Sequence, residues 1–316
     1  MIGALRNGQM GERLRVLPIH RACALLNLSR SLAYRIPADK ASSLADEARL
    51  VDAIETIVLE FPGYGYRRVT AQLVRDGWMI NRKRVARLMK RHGLSCRIRR
   101  RWMATTQSKH GHRIWPNLAA STVVTGPNQL WVSDITYIRL PSGFCYLACI
   151  LDAFSRRVIG WELGRCLDAR LVLGALDKAL AARRPGGNAT GNEEGFEERL
   201  IHHSDRGVQY ACDDCVTVLL AHGIRISMSA KGTPRDNAKA ESFFRTLKVE
   251  EVYLADYLSF EEALIRIERF IDDVYNQKRL HSALGYLPPV EFEDNHAAAK
   301  RLHEHQLPAR TAGLVV

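Results

Sequence analysis

The segment Leu130-Trp-Val-Ser-Asp-Ile-Thr-Tyr-Ile138 is rich in β-branched and aromatic residues, and this composition predicts a β-strand. A turn is predicted at Pro141-Ser-Gly143, and the apolar run 144–152 predicts a second, central strand beside the first. An acidic residue, Asp134, lies in the middle of the first strand, where a buried charge without a partner is costly. The segment therefore predicts the first strand of a sheet, and it marks Asp134 as a candidate functional residue.

The sequence after residue 152 predicts that strands then alternate with helices. The expected elements are a third strand at 157–163, a helix at 168–183, a fourth strand at 200–203, a helix at 213–222, a fifth strand at 224–229, a helix from about Asp236 and a helix at 260–275. Three strands in hairpins followed by this alternation indicate a mixed α/β fold with a mixed five-stranded sheet. The pattern fits a ribonuclease-H-like core better than a doubly wound parallel sheet.

Length and composition exclude several classes of protein. The chain has 316 residues, of which 47% are hydrophobic and 25% charged, an ordinary mixture for a globular protein of about two domains. The sequence contains no run of 18 apolar residues, so a membrane span is not expected. Residues 1–8 are too polar for a signal peptide. Seven scattered cysteines argue against a disulfide scaffold. We therefore expect a cytoplasmic protein with no membrane partner.

Positive charge is concentrated in the first part of the chain. Lys and Arg number 46 against 34 Asp and Glu, which gives a formal net charge of +12. Residues 1–125 hold 23 of the basic residues and only 8 of the acidic ones, and no acidic residue occurs between Asp76 and Asp134. This imbalance predicts that the first part binds a polyanion, whereas the nearly neutral remainder has another task. A basic surface without a ligand stays an alternative.

The basic part predicts two helix-turn-helix segments. In the first, apolar residues at helical spacing precede a turn at Asn27–Ser29 and a second short helix. In the second, three amphipathic helices follow one another, and the third is capped by Asn81 and ends before Gly93. The expected domain order is an N-terminal helix-turn-helix segment at 1–44, a helix-turn-helix DNA-binding domain at 45–101, a basic linker at 102–124, a catalytic core at 125–292 and a loose tail at 293–316.

The third helix of the second segment carries the predicted DNA-binding side chains. A basic outward face on such a helix is suited to the major groove or to the phosphate backbone of double-stranded DNA. A solvated charged face is the plain alternative. The predicted contacts are Arg82, Lys83, Arg84, Arg87, Lys90 and Arg91, continued after the helix by Arg99, Arg100 and Arg101.

Three acidic residues occupy positions that suit catalysis. Asp134 lies inside a strand, Asp205 directly follows the predicted strand 200–203, and Glu241 lies early on a helix. A strand centre, a strand end and a helix can converge on one point in such a sheet, and clustered carboxylates repel one another unless cations lie between them. Oxygen ligands favour Mg²⁺ or Mn²⁺, and a pair of these ions supports in-line phosphoryl transfer. Each acid taken alone is more simply a cap or turn former.

Three segments of the chain resemble the motifs of DDE transposases and retroviral-type integrases. They are Trp131-Val-Ser-Asp134-Ile-Thr-Tyr137, His203-Ser-Asp205-Arg-Gly-Val-Gln-Tyr210 and Asp236-Asn-Ala-Lys-Ala-Glu241-Ser-Phe-Phe244. Between Asp205 and Glu241 lie 35 residues, which matches the spacing of that family.

Other segments resemble one branch of it, the IS3-family insertion-sequence transposases of the second reading frame type. These are Tyr64-Gly-Tyr-Arg-Arg68, the helix around Arg84–Leu94, and Tyr275-Asn-Gln-Lys-Arg279-Leu-His281-Ser-Ala-Leu-Gly-Tyr-Leu-Pro-Pro289. The resemblance covers roughly residues 15–292.

The resemblance implies a complete activity. It implies that Asp134, Asp205 and Glu241 hold two Mg²⁺ or Mn²⁺ ions, and that Lys248 and Arg279 contact DNA. It also implies a bacterial, nucleoid-associated enzyme that binds the terminal inverted repeats of its element, cuts and joins strands through a circular intermediate, and self-associates on DNA. In many members a separate upstream reading frame supplies a further helix-turn-helix protein, which is a possible partner here.

Two other functions stay open at this point. A ribonuclease-H-like nuclease would share the fold, although the basic front part argues against it. A retired transposase acting as a DNA-binding repressor would retain the basic helices, although the intact acidic positions argue against it. The pair Cys212 and Cys215 has no further ligands at zinc spacing, so we expect packing rather than metal binding there.

Overall fold

The computed structural model describes residues 40–96, 113–183, 200–230 and 233–306. The segment predicted at 1–44, apart from its last residues, lies outside these ranges, as do Arg99, Arg100 and Arg101. The described residues fall into two compact units, and the break lies within helix α1 (Lys40–Glu60), after Thr56. The sheet belongs to the second unit, which begins at Ile57.

A five-stranded sheet forms the centre of the second unit. Its strands are β1 (Leu130–Leu140), β2 (Gly143–Asp152), β3 (Val158–Gly164), β4 (Ile201–Ser204) and β5 (Arg225–Met228). They lie in the order β3-β2-β1-β4-β5, with the β1–β2 and β2–β3 pairs antiparallel and the β1–β4 and β4–β5 pairs parallel. This mixed sheet confirms the predicted ribonuclease-H-like α/β architecture.

Helices cover both faces of the sheet because successive side chains of a strand point to opposite faces. Trp131 on β1 packs into one apolar cluster with side chains of α4 and α6, whereas the next residue, Val132, packs into another with side chains of α7 and α8. The helices of this unit are α2 (Tyr66–Arg75), α3 (Arg82–Arg91), α4 (Ala169–Arg183), α5 (Val208–Ala211), α6 (Asp213–Ala221), α7 (Ala238–Leu247), α8 (Phe260–Arg269) and α9 (Pro289–Gln306).

Helices α2 and α3 form a helix-turn-helix pair. Val69 and Leu73 on α2 are buried, as are Val85 and Leu88 on α3, so the apolar sides of both helices are covered. The Asn81 side chain caps α3 by accepting a hydrogen bond from the backbone N–H of Lys83 at 2.8 Å. The predicted helix-turn-helix is therefore confirmed for these residues.

The end of the predicted linker differs from the expectation. Residues 102–112 lie outside the described ranges, but residues 113–124 lie against the sheet and its helices. The backbone N–H of Leu118 donates to the Ser227 hydroxyl at 2.9 Å, and the Asn117 side-chain amide donates to Asp236 at 2.9 Å. Leu118, Ala119 and Val124 pack on the apolar core. Their apolar side chains outweigh the polar composition of the segment as a whole.

The start of the predicted tail also differs. Helix α9 runs through residue 293, where a loose tail was expected, and it is attached to the sheet by the buried Glu293. The Glu293 carboxylate accepts hydrogen bonds from Ser155 at 2.6 Å and Arg157 at 2.9 Å, and it also pairs with Arg183. The alanine-rich composition did not reveal this anchor because one buried ion pair leaves no periodic pattern.

No helix in the described ranges is both long and apolar enough to span a bilayer.

Candidate active site

Asp134 and Asp205 are brought together by the pairing of two parallel strands. The register of β1 and β4 pairs Trp131 with His202 and Val132 with His203. Asp134 and Asp205 each follow two residues after the last of these pairs, and the charge of Asp205 acts on Asp134. Both side chains then point to the face of the sheet that Val132 shares, which is the face covered by α7.

The environment of Asp134 disfavours its negative charge. Burial raises the pKa of this carboxyl to about 7, and the charges of Asp205 and Glu241 add to the rise. A hydrogen bond from the backbone N–H of Ile135 at 2.9 Å and the charge of Lys248 act in the opposite direction. Asp134 therefore interacts electrostatically with both other predicted acids and with the predicted lysine.

Asp205 is oriented by the turn that follows β4. Its side chain accepts a hydrogen bond from the backbone N–H of Gly207 at 2.9 Å, so one carboxylate oxygen is held over the turn. A Cβ at position 207 would lie 2.9 Å from that same oxygen, which explains the glycine. The turn thus fixes the direction in which the second carboxylate points.

Glu241 lies on α7, which packs across the sheet through Ala240, Phe243 and Phe244. The start of the helix is attached to β1 because the Asn237 side-chain amide donates to the Ser133 carbonyl at 2.9 Å. Glu241 follows one helical turn later, and its side chain is exposed. Helix packing therefore brings the third acid to the site while leaving its carboxylate facing solvent.

Lys248 lies seven residues beyond Glu241, where α7 continues as a π-helical segment at Lys248–Val252. The side chain is half-buried, and burial lowers its pKa while the charge of Asp134 opposes that shift. An ammonium group thus lies within electrostatic reach of the carboxylates.

The donor set suits a divalent cation by its chemistry. All three side chains offer carboxylate oxygens, which Mg²⁺ and Mn²⁺ prefer, and a cation would relieve the repulsion that raises the pKa of Asp134. In the part of the chain that the structure describes, no three His, Cys, Asp or Glu side chains stand ready in a metal-binding arrangement. Glu241 is exposed, and its charge nevertheless acts on Asp134.

The basic face of α3 is exposed as predicted. Arg82, Lys83, Arg87, Lys90 and Arg91 are exposed, and Arg84 is half-buried. The helix contains no acidic residue that would neutralise them. Their contact with DNA stays a prediction.

Arg279 does not fit the predicted role of a DNA contact. Its side chain is 3% exposed and makes two hydrogen bonds of 2.7 Å to the carboxylate of Glu250, which is 4% exposed. This paired, bidentate geometry satisfies the guanidinium within the protein. Sequence could not reveal the pair, because its partner lies 29 residues away on the segment that follows α7.

Supporting residues that the sequence analysis did not single out surround the carboxylates. Ser133 donates to the Tyr210 hydroxyl at 2.9 Å, and the ring of His203 lies between the Ser227 and Ser229 hydroxyls at 2.8 and 3.0 Å. Ser133, His203 and Tyr210 lie within the motifs around Asp134 and Asp205, whereas Ser227 and Ser229 come from β5 and the residue after it. For the first three, proximity in sequence to the acids was the available signal.

The geometry also accounts for Asp152 and for the two cysteines near α6. Asp152 is a turn former, since its carboxylate accepts hydrogen bonds from the backbone N–H groups of Asn128 and Phe154. Cys215 is buried in α6 and Cys212 precedes that helix, with its thiol directed to the carbonyl of Gln209 at 3.1 Å.

The chain is similar to known protein families and to curated relatives. Residues 124–234 and 222–289 match family models described as "Integrase core domain", and residues 45–102 match one described as "HTH-like domain". The chain is 35% identical to the insertion element IS600 uncharacterized 31 kDa protein of Shigella sonnei, over 87% of this chain and 98% of that protein. It is 38% identical to the transposase InsF for insertion sequence IS3A of Escherichia coli (strain K12), over 74% of this chain and 78% of that protein.

Among solved structures, the catalytic core domain of HTLV-2 integrase in complex with magnesium is similar with a TM-score of 0.39 and 14% identity. The similarity covers 53% of this chain and 97% of that chain.

Proposed function

Because the chain belongs to the IS3 family of insertion-sequence transposases, we propose that it binds the terminal inverted repeats of its element and catalyses strand cleavage and strand transfer there. The observation that supports the proposal is the electrostatic interaction of Asp134 with Asp205 and Glu241, three acids on β1, after β4 and on α7. Paired carboxylates in that position are suited to in-line phosphoryl transfer on DNA.

Asp134, Asp205 and Glu241 are the residues that would hold the divalent cations. Bound Mg²⁺ or Mn²⁺, two ions in the full proposal, would activate the attacking oxygen and stabilise the departing one. Lys248 binds a phosphate of the terminal DNA at the edge of the site, where its charge offsets that of the substrate. The strand backbone around Asp134 keeps the first carboxylate from moving.

The reaction consists of two transfers at phosphorus. In the first, water attacks a phosphodiester at the element end, the P–O3′ bond breaks, and the strand leaves with a free 3′ hydroxyl. In the second, that hydroxyl attacks another phosphodiester, forming one P–O bond as another breaks. The number of phosphodiesters is conserved in the second step, so no external energy source is required. Joining the two ends of one element in this way yields a circle, which is then integrated.

Binding to DNA is assigned to α3. Its exposed side chains Arg82, Lys83, Arg87, Lys90 and Arg91 offer positive charge along one face, which suits phosphates more than base edges. Two element ends must meet for end joining, so self-association on DNA is part of the proposal. An upstream-frame helix-turn-helix protein is its candidate partner.

A strand-transfer assay tests the proposal. A labelled duplex taken from the DNA that flanks the gene, pre-cut to expose the 3′ hydroxyl, is incubated with the protein, Mg²⁺ and a target duplex. We expect joined products from the parent and from the control Asp256→Asn, which removes an exposed carboxylate outside the site. Asp134→Asn and Asp205→Asn should bind DNA without joining it. Cleavage without joining would favour the nuclease, and binding with neither reaction would favour the repressor.

A further inference from the structure

Two of the sequence motifs that contain no predicted catalytic residue are in contact in the folded chain. The segment Tyr64–Arg68 precedes and begins α2, whereas the segment Arg279–Tyr286 follows the helices of the core. The backbone N–H of Leu280 donates to the Tyr64 hydroxyl at 2.7 Å, and the Arg68 guanidinium donates to the Leu280 carbonyl at 3.1 Å. Residues more than 200 positions apart thus form one seam, where the helix-turn-helix pair is attached to the core.

Part of this seam is buried structure, and the rest is an open groove. Tyr64, Arg279 and Leu280 are buried and serve the attachment itself. Beside them lies a groove of about 410 Å³ that opens to solvent. Its lining residues are Gly65, Tyr66, Arg67, Arg68, Ser282 and Tyr286.

The groove has an excess of positive charge. Its lining contains two arginines and no carboxylate. Glu250, an acid whose charge acts on Arg68, makes two hydrogen bonds to Arg279. Arg68 therefore lies half-buried beside an ion pair that is already neutral, and burial together with the charge of Arg279 lowers its pKa. Such a site favours an anionic ligand.

Hydroxyl groups accompany the two arginines. The Tyr66 hydroxyl accepts a hydrogen bond from Arg67 at 3.3 Å, which orients that exposed guanidinium. Ser282 is exposed on the opposite wall, and Tyr286 lies close enough to both arginines to interact with their charges. Guanidinium and hydroxyl donors together are the usual contacts to phosphate oxygens.

The wall that carries Ser282 and Tyr286 is held rigidly. Gly285 and Tyr286 both adopt positive φ, at 65° and 62°, and a non-glycine residue rarely does so. The loop is closed by backbone hydrogen bonds from Tyr286 to His281 at 2.9 Å and from Leu287 to Leu284 at 3.2 Å. The backbone of this wall is therefore ordered before any ligand binds, which lowers the entropic cost of binding.

We propose that this groove, the seam groove, binds a phosphodiester of double-stranded DNA, so that the strand held by the helix-turn-helix pair is also held by the core. The proposal rests on the proposed function, since it names a further contact to the same substrate. The seam groove gives a DNA-binding role to exposed side chains of these two motifs. Those side chains belong neither to the carboxylate site nor to the basic face of α3.

The salt dependence of DNA binding tests the seam groove. A fluorescent 30-base-pair duplex is titrated with the parent, Arg67→Gln and Ser282→Asp by anisotropy at several KCl concentrations. Losing one phosphate contact should lower the slope of log K against log [KCl] by about 1 and weaken binding about tenfold at 0.1 M salt. Arg139→Gln and Ser142→Asp, which make the same charge changes at exposed positions outside the groove, serve as controls.

The outcomes separate this proposal from the proposed function. A lower slope for both groove variants, with controls like the parent and unchanged melting temperatures, supports the seam groove. Slopes of Arg67→Gln and Ser282→Asp equal to those of their controls overturn it, even when the parent joins strands normally. A parent that neither binds nor joins DNA overturns the proposed function and the seam groove together.

Discussion

The Asn237 side-chain amide donates a hydrogen bond to the carbonyl oxygen of Ser133 at 2.9 Å, and so links the start of the helix that bears Glu241 to the residue before Asp134. Both groups are buried, with Asn237 6% and Ser133 1% exposed. The bond joins two elements that each contribute one acid. It therefore sets the distance between those acids as well as contributing to stability.

Replacing Asn237 with Ala should reduce strand transfer more than it reduces DNA binding. The change leaves a buried carbonyl without its donor, which costs about 1–3 kcal/mol in the free energy of unfolding. We expect α7 to shift against β1, so joined product falls while anisotropy on duplex DNA stays near the parent's. Asn276→Ala is the matched control, because Asn276 makes the same kind of buried bonds to Val158, on β3. Equal loss of joining by both variants would assign Asn237 to stability alone.

Asp205→Asn should lower the pKa of Asp134 from about 7 toward its ordinary value. Removing a neighbouring negative charge makes ionisation of Asp134 easier, so the direction of the shift is downward. The measurement is a carbon-13 NMR titration of the Asp134 carboxyl in metal-free buffer, compared with Asp256→Asn. An Asp134 pKa that is the same in Asp205→Asn as in the parent would contradict the proximity of the two carboxylates.

Breaking the Glu250–Arg279 pair should destabilise the protein strongly. Both side chains are nearly inaccessible, so Glu250→Gln leaves a buried guanidinium without its counter-charge, at a cost of about 3–5 kcal/mol. Urea unfolding followed by circular dichroism measures the loss. The exposed pair of Arg165 and Glu261 is the control, and Glu261→Gln should change the free energy of unfolding little. A small effect for Glu250→Gln would show that water reaches the seam.

Gly160→Ala should displace α4 from the sheet. A Cβ at this position would clash with the carbonyl oxygen of Ala175 and would lie 2.7 Å from the backbone nitrogen of Ala179. Backbone atoms cannot move aside cheaply, so we expect a loss of about 1–3 kcal/mol in the free energy of unfolding. Gly65→Ala, where nothing lies within 4 Å of the added Cβ, should change it little. Thermal melts of the two variants would show the contrast.

Acid should destabilise the protein through its buried histidines. Burial lowers the pKa of His202 to about 3 and that of His281 to about 2, against about 6.5 in the unfolded chain. Below pH 6.5 these two histidines are protonated in the unfolded state but stay neutral in the folded state. The stability that these residues contribute is therefore present above pH 6.5 and is lost as pH falls toward 3.

Comparing the pH dependence of stability between the parent and a histidine variant measures the contribution of His202. Each such residue contributes up to about 1.4 kcal/mol per pH unit to the slope of unfolding free energy. His202→Leu should reduce that slope between pH 6 and 4 in urea unfolding, compared with the parent. Identical slopes for the two proteins would mean that His202 is protonated in the folded state.

Sequence alone determined the elements and their chemistry. The apolar run of β2, the β-branched composition of β1 and the cap at Asn81 are local features, and each predicted its element because strand and helix propensity act over a few residues. The basic face of α3 followed from helical periodicity in the same way. The three acids stood out because of the elements on which they lie.

Tertiary structure decided which distant groups meet. Arg279 resembles a DNA contact in sequence, yet it is buried against Glu250, and residue 293 resembles a tail, yet it anchors α9. The adjacency of Asp134 and Asp205 follows from the register of two parallel strands, and the seam groove from contacts across more than 200 residues. Pairings of this kind depend on the packing of whole faces, which leaves no short-range pattern for sequence reasoning to detect.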